Sequence, residues 1–290
     1  VGYRNPQDSG CRQSMSGKAP AAHNCRKKMA QNHSIEVVCA ENPRLKIKWL
    51  YCGIRKVEDL NMESCSRESY QMLRKGAEIL SIDANGEKVL RLLDGTVIKL
   101  FRIKKLLSSA HFFPYCLRFA KNAEKLREMG IPTVKVLNRF RIPGIERTAV
   151  QYVELKGESF PRHAGCHGIT DDLAQNLGSF LADLHGKGIY FRSIHLENIL
   201  VLPDGSFGLI DVSDMKIYRG GLCIRMRVRN FAHFARYPVH RKLLRPLIPQ
   251  FLDGYFKKCR FSRSQFCRIE NSVLRLFEPE GSRILHKEVA

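Results

Sequence analysis

Two turn dipeptides, Asn85-Gly86 and Asp94-Gly95, constrain the fold of this chain more than any other feature of its sequence. Short strand-like segments rich in apolar residues flank each dipeptide. Asn-Gly and Asp-Gly between such segments are typical of tight β-hairpins. The sequence therefore predicts a three-stranded antiparallel meander over residues 79–101, with residues 89–93 as its middle strand.

Apolar spacing organises the rest of the chain. It predicts one helix from Leu117 to a C-capping glycine at Gly130, and a second helix from a Thr170 cap to Leu184. Further strands are predicted over residues 134–140, 148–155, 199–202 and 207–210. A loop is expected after residue 155, and helices are expected after residue 210. A β-rich first half followed by an α-rich second half predicts an α+β fold with two lobes and a cleft between them.

The length and composition of the chain limit the classes of protein to which it can belong. At 290 residues, 44% hydrophobic and 27% charged, the chain can bury a sizeable core. Its longest stretch without Asp, Glu, Lys or Arg covers residues 106–117, too short to cross a bilayer. Ten cysteines without a C-x-x-C pair or a secretory signal predict reduced thiols in a cytoplasmic protein.

Residues 1–61 lack sustained periodicity and precede every clear pattern. We expect this segment to be disordered or to be a non-native extension, with Met62 as the natural first residue. The expected boundaries are therefore an extension over residues 1–61, a first lobe over residues 62–156 and a second lobe over residues 157–290.

The charge balance predicts an anionic partner. The chain has 49 Lys and Arg against 28 Asp and Glu, a net charge of +21. Residues 215–268 contain 14 Lys and Arg and a single acid, Asp253. An ordinary solvated basic face is the alternative, but such faces normally carry interspersed acids. Nucleic acid is not expected as the partner, because no recognised binding module is present.

Residues 188–200, GIYFRSIHLENIL, carry the clearest chemical pattern and resemble the catalytic loop of protein-kinase-like folds. In that family the loop reads H-R-D, four residues and Asn, and Arg192 and Asn198 match this spacing. Asp211 follows Asn198 by thirteen residues, in the place of the metal-binding aspartate. Lys99 on the third predicted strand matches the nucleotide-binding lysine.

The resemblance implies a bilobed protein-kinase-like fold, with a small antiparallel β-rich N-lobe and a mainly α-helical C-lobe. It also implies ATP and Mg²⁺ as cofactors. Phosphoryl transfer needs a cation on the phosphates and oxygen ligands for Mg²⁺. Lys99 would supply the first, and Asn198 and Asp211 the second. Each match has an ordinary structural alternative when taken alone, because a strand lysine usually packs only its stem.

Several positions depart from the kinase pattern. Ser193 replaces the catalytic aspartate, and a serine cannot act as a carboxylate base. Of the glycine-rich phosphate loop only Gly86 is left. The helix position expected to hold the glutamate partner of Lys99 is Phe119. Glu124 is the nearest acid on that helix and is the candidate partner, although its helical phase differs.

Two residues could replace the missing base. His195 lies two residues after Ser193, and its ordinary pKa near 6.5 suits proton transfer. Asp214 lies three residues after Asp211. The alternative is that His195 packs the loop and Asp214 caps the next turn. Arg192 is interpreted as a residue that positions the loop, and Asn230 as an uncharged acceptor that bonds to it.

Five short motifs are similar to the bacterial toluene tolerance proteins, a group that resembles the heptose and Kdo kinases of the lipopolysaccharide core. The similarity covers residues 66–256, and its F-R-S loop is a feature of the group. The motifs are Lys99-Leu100-Phe101-Arg102, Ser108-Ser109-Ala110, Arg118-Phe119-Ala120-Lys121-Asn122-Ala123, Gly130-Ile131-Pro132-Thr133 and Tyr190-Phe191-Arg192-Ser193.

This resemblance implies an envelope-related phosphotransferase that acts on the lipopolysaccharide core or another phosphorylated glycolipid. The acidic inner face of the membrane would then attract the basic half of the chain. A pseudokinase that binds nucleotide or a partner as a scaffold is the alternative from another functional class.

Overall fold

A six-stranded sheet forms around the meander that the two turn dipeptides predict. The computed structural model describes residues 62–103 and 114–279; the expectations for residues 1–61 and the Ser108-Ser109-Ala110 motif lie outside them. The strands of this sheet are β1 Glu63–Ser64, β2 Glu78–Asp83, β3 Gly86–Arg91, β4 Val97–Arg102, β5 Lys135–Ile142 and β6 Arg147–Val153.

The predicted meander is confirmed as β2, β3 and β4, each antiparallel to the next. At the first turn, the Asp83 carboxylate accepts a hydrogen bond from the backbone N–H of Asn85 at 2.8 Å, and Gly86 has a φ of 103°. Gly95 has a φ of 80°, which non-glycine residues rarely adopt. The sheet order is β1-β5-β6-β4-β3-β2, with β1 parallel to β5.

The sheet carries a helix on each face. Helix α1, Arg67–Leu73, begins at Ser66, whose side chain accepts from the backbone N–H of Ser69. Its Tyr70 joins the cluster that contains Ile98 and Leu100. Helix α2, Tyr115–Glu128, packs against the opposite face, where Lys99 points, because neighbouring strand residues alternate between faces. The predicted helix before Gly130 is confirmed as α2.

The second half of the described chain is mainly helical. Its helices are α3 Phe160–His167, α4 Asp171–Gly186, α5 Ile224–Phe234, α6 Pro238–Leu244, α7 Ile248–Lys257 and α8 Arg263–Phe277. Short strands complete it: β7 Glu158–Ser159, β8 Ile189–Phe191, β9 Ile199–Val201, β10 Phe207–Leu209 and β11 Met215–Ile217. The molecule is therefore an α+β protein, as predicted.

Two sequence predictions are wrong in this half. The loop expected after residue 155 contains β7 and α3, and the all-helical region expected after residue 210 contains strand β11. Helix α3 is short and buries only Phe160 and Ala164, so its apolar spacing is too sparse to recognise. Strand β11 pairs with β8 over three residues, a contact that no local pattern reports.

Helices α4 and α7 cross with their backbones in contact. A Cβ atom added to Gly178 of α4 would lie 1.9 Å from the carbonyl oxygen of Phe251. A Cβ atom added to Gly254 of α7 would lie 1.9 Å from the carbonyl oxygen of Gln175. Ser179 fixes the crossing by donating a hydrogen bond to the carbonyl of Gly254 at 2.9 Å. Each helix thus needs a glycine where it meets the other.

No helix within the described ranges is both long and apolar enough to cross a membrane. The six cysteines in those ranges are free thiols, of which Cys65 and Cys116 are buried.

Candidate functional site

An ion pair between a buried lysine and a half-buried aspartate joins the sheet to the segment that follows β10. Lys99 lies in the middle of β4 and is 7% exposed. Its Nζ lies 2.6 Å from Oδ1 of Asp211. The same Nζ lies 5.9 Å from the ring centre of Phe101 and 5.8 Å from that of Phe119. The two charged residues that the sequence analysis assigned to one site are therefore in direct contact.

Asp211 is held in an unusual backbone conformation. Its φ of 53° lies in the left-handed region, which costs a non-glycine residue free energy and therefore needs support from its surroundings. Asn122 of α2 supplies support by donating to the carbonyl of Val212 at 2.7 Å, at the start of the 3₁₀ turn Val212–Asp214. Ser213 donates to Oδ1 of Asp211 at 3.4 Å. The carboxylate is thus aimed at Lys99 by the turn that follows it.

The surroundings of Lys99 act on its charge in opposite directions. Burial lowers the pKa of the Lys99 ammonium, and the Asp211 carboxylate counteracts this effect. Lys88 on β3 lowers the pKa further. Phe119 occupies the helix position that faces the ammonium, so Asp211 is the acid that balances it.

The candidate partner of Lys99 on α2, Glu124, requires a correction. Glu124 is exposed on that helix, whereas Phe119 and Ala123 are buried. Its different helical phase, noted from the sequence, turns it outward. Lys99 makes its ion pair with Asp211 instead.

Asn198 ends the 3₁₀ turn Leu196–Asn198 and lies beside the Asp211 segment, because its carbonyl accepts from the N–H of Ile210 at 3.0 Å. Its side-chain Nδ2 donates to the carbonyl of Ser193 at 2.8 Å and lies 3.2 Å from Nε2 of His195. These two contacts use both amide protons. The amide oxygen is then the atom with which Asn198 could bind a cation.

His195 is therefore arranged to orient Asn198. Because the Asn198 amide donates, Nε2 of His195 accepts and Nδ1 carries the proton. Nδ1 is buried and has no hydrogen-bond partner among the described residues. Burial, followed by the nearby His240, lowers the pKa of His195. The neutral ring uses its lone pair on Asn198, so this geometry supports the packing alternative over the role of base.

Sequence reasoning missed two aromatic neighbours of His195. The ring of Tyr237 meets that of His195 edge-on at 5.1 Å, and the ring of His240, on α6, stacks on it at 6.1 Å. His240 is buried, and its Nε2 lies 3.9 Å from the Glu197 carboxylate. Both residues belong to the basic segment, and only the tertiary fold brings them to the loop, so no local spacing could have revealed them.

Arg192 and Asp214 form a second group. Nη1 of Arg192 lies 3.6 Å from Oδ1 of Asp214, and the Arg192 N–H donates to the Asp214 carbonyl at 3.0 Å. The charge of Asp214 also acts on Tyr190 and His233. Ser193, the residue between these groups, is half-buried and offers a hydroxyl but no carboxylate.

Gly86 begins β3 at the tip of the β2–β3 hairpin. No atom would lie within 4 Å of a Cβ added there, so the space beside the turn is open. Arg147 donates to the carbonyl of Asn85 in the same turn. The positive φ of Gly86 explains why the turn needs a glycine at this position. A role of Gly86 in phosphate binding stays a prediction.

The basic segment over residues 215–268 is partly structural. Three of its 14 basic residues are not exposed: Arg227, Arg241 and Arg245. Arg227 donates to the Leu222 carbonyl at 2.8 Å, and Arg245 to the Phe277 carbonyl at 2.8 Å. The prediction of one basic surface is thus too broad, because these guanidinium groups hold helices together.

A buried chain of hydrogen bonds fixes the start of the 188–200 loop. Asn230 donates through Nδ2 to the carbonyl of Phe191 at 2.8 Å, and its Oδ1 lies 3.0 Å from Nε2 of His185. The prediction that Asn230 contacts this loop is correct, but the expected acceptor role is wrong. The loop presents a carbonyl, so Asn230 must donate, and its oxygen accepts from His185.

The other side of His185 completes this chain. Nδ1 lies 2.8 Å from the Tyr255 hydroxyl, which accepts from Arg227 at 2.9 Å. With the proton of His185 on Nε2, every donor in this hydrogen-bond network meets an acceptor. The network therefore requires a neutral His185 ring. Burial lowers the pKa of His185 to about 3.

We predict that this network makes the fold sensitive to mild acid. Unfolded His185 binds a proton near its ordinary pKa of 6.5, whereas the folded ring stays neutral down to about pH 3. Between these two pKa values the unfolded state therefore binds more protons than the folded state. The free energy of unfolding should decrease as the pH is lowered through this range, by about 1.4 kcal/mol per pH unit from this group. Denaturant unfolding from pH 8 to pH 4.5 measures the slope.

The variant His185→Gln isolates this contribution, because every other titratable residue is the same in both proteins. The variant should be less stable at pH 8, and its stability should fall less steeply below pH 6.5. Parallel pH profiles for the two proteins would assign the acid sensitivity to other groups.

No protein-family model matches the chain, and no curated protein sequence matches it.

Proposed function

We propose that the protein is a phosphotransferase with a protein-kinase-like fold that uses ATP and Mg²⁺. The observation that carries this proposal is the 2.6 Å pair between Lys99 on a central strand and Asp211, two residues after the end of β10. Phosphoryl transfer requires a cation for the phosphates beside a carboxylate for the metal. The carbonyl of Asn198 accepts a hydrogen bond from Ile210, the residue before Asp211. The side chain of Asn198 adds a neutral amide oxygen, a type of ligand that Mg²⁺ accepts.

The proposed acceptor is a sugar hydroxyl of the lipopolysaccharide core or a related phosphorylated glycolipid. Eleven of the 14 basic residues in 215–268 are exposed, against the single acid Asp253. Their excess of positive charge suits phosphorylated sugars and the anionic inner face of the membrane. The motifs similar to those of the toluene tolerance proteins support the same acceptor class.

A nucleotide-binding scaffold without transfer activity is the second candidate. Ser193 lacks a carboxylate, and His195 uses its lone pair on Asn198. Both observations remove a base from the position where an acceptor hydroxyl would be deprotonated. Transfer would then require that metal electrostatics and positioning lower the barrier, with the acceptor proton leaving late or passing to Asp214.

Transfer of the labelled terminal phosphate of ATP to purified lipopolysaccharide core tests the proposal. We expect transfer that depends on Mg²⁺, and a loss of about 100-fold in Lys99→Met, because that change removes the group that orients the phosphates. Calorimetry on the same preparations measures nucleotide affinity separately.

The two measurements together distinguish the candidates. Magnesium-dependent ATP binding without transfer to any core acceptor would replace the enzyme with the scaffold. Neither binding nor transfer, in protein that is folded by circular dichroism, would overturn both.

A further inference from the structure

A carboxylate and two imidazoles meet at the junction of β7 and α3, outside the site described above. Glu158 lies on β7, and His163 and His167 lie four residues apart on α3. Oε2 of Glu158 is 3.4 Å from Nδ1 of His163 and 3.6 Å from Nε2 of His167. All three donor atoms lie within 4.8 Å of one another.

We propose that Glu158, His163 and His167 form a binding site for a divalent transition-metal ion of the zinc type. In a tetrahedral site with bonds of 2.0–2.1 Å, neighbouring ligand atoms are about 3.3 Å apart. The two oxygen-to-nitrogen distances fall just above this value, so small side-chain rotations close the site. Two imidazoles and one carboxylate form the donor set of three-residue zinc sites, which keep a fourth position for water or another ligand.

The helix and the strand hold the three side chains close to one another. Residues four apart on a helix lie on one face, and the rings of His163 and His167 are 4.7 Å apart. Glu158 is fixed by the pairing of β7 with β9. Nε of Arg162 lies 3.9 Å from Oε1 of the same carboxylate, which leaves Oε2 to the two histidines. The histidine side chains are 26% and 59% exposed, so an ion can enter from solvent.

The donor set also selects among metals. Imidazole favours Zn²⁺, Co²⁺, Ni²⁺ and Cu²⁺, whereas Mg²⁺ and Ca²⁺ prefer oxygen-only sites. The inferred ion is therefore different from the magnesium of the proposed phosphotransferase, and the inference does not depend on that function. A bound ion would link strand β7 to helix α3. Because β7 pairs with β9, which begins directly after Asn198, the ion would also stabilise the segment that carries Asn198.

Titration of the full chain with Co²⁺, followed by displacement with Zn²⁺, tests the site. Visible d–d absorption reports cobalt bound to nitrogen and oxygen ligands, and thiolate ligands add a near-ultraviolet charge-transfer band, which separates this site from the ten cysteines. We expect one equivalent without the thiolate band. Affinity should fall about 100-fold or more in His163→Ala and in His167→Ala, because even changes beyond the ligand shell cost 10–100-fold.

Arg162→Gln is the matched control on the same helix. It removes a cation that contacts the other carboxylate oxygen, so the affinity for Co²⁺ should be kept or increased. Zn²⁺ should raise the melting temperature of the wild type and of Arg162→Gln, but not that of the double variant His163→Ala, His167→Ala. An unchanged equivalent of Co²⁺ in the double variant, or wild-type binding that shows only thiolate bands, would overturn the inference.

Discussion

The Asp211→Asn variant should lose phosphate transfer by on the order of 10³-fold, because the amide keeps the shape of the carboxylate and removes its charge. Mg²⁺ is a hard cation that binds charged carboxylate oxygens most strongly. ATP affinity measured with Mg²⁺ should fall sharply. ATP affinity measured without Mg²⁺ should be kept or should rise, because Lys99 is freed from its partner and the repulsion between Asp211 and the phosphates is gone.

Asp204→Asn is the control for this variant. Asp204 lies in the exposed turn between β9 and β10, and its carboxylate accepts from Ser206 of the same turn. Its change should leave transfer intact. The Asp211→Asn change also leaves Lys99 buried without a counter-charge, which destabilises the fold. The double variant Lys99→Met, Asp211→Asn removes that charge as well, and we expect it to be folded and inactive. Full transfer by Asp211→Asn would contradict the role proposed for this carboxylate.

The Gly178→Ala variant should show the largest loss of stability, about 3 kcal/mol in the free energy of unfolding. Its Cβ atom would lie 1.9 Å from the Phe251 carbonyl oxygen, and two helix backbones would have to separate to admit it. Denaturant unfolding monitored by circular dichroism measures the effect.

Gly186→Ala provides the comparison on the same helix. No atom lies within 4 Å of a Cβ added at Gly186, so alanine should raise helix stability there by about 0.5–1 kcal/mol. Opposite signs for the two alanines would establish that the α4–α7 contact, and not helix propensity, sets the cost. Equal effects of the two changes would show that the crossing adjusts without strain.

The turns and helices that depend on interactions between neighbouring residues could be predicted from the sequence. The turn dipeptides Asn85-Gly86 and Asp94-Gly95 need only their own backbone conformation to define a meander. Helix α4 was predicted by a Thr170 cap and a leucine stripe, and the structure shows Thr170 accepting from the N–H of Leu173 at 3.1 Å. The resemblance to protein-kinase motifs singles out Lys99 and Asp211; Lys99 lies on strand β4, and Asp211 follows strand β10, as expected.

The features that were missed depend on contacts between distant parts of the chain. Asn230 was expected to accept a hydrogen bond, but its role is set by a carbonyl 39 residues earlier in the sequence. Tyr237 and His240 meet His195 only because α6 folds back onto the loop. Strands as short as β7 and β11 have no periodicity of their own, since a partner strand defines them.

The ion pair between Lys99 and Asp211 has a consequence for the order in which ligands bind. In the proposed phosphotransferase, a phosphate would have to take Lys99 from Asp211, and a metal ion would have to take Asp211 from Lys99. Whichever arrives first releases the residue that the other needs, and this mutual assistance is equal in both directions. We therefore expect the proposed site to bind nucleotide or Mg²⁺ weakly when only one of them is present, and strongly when both are present.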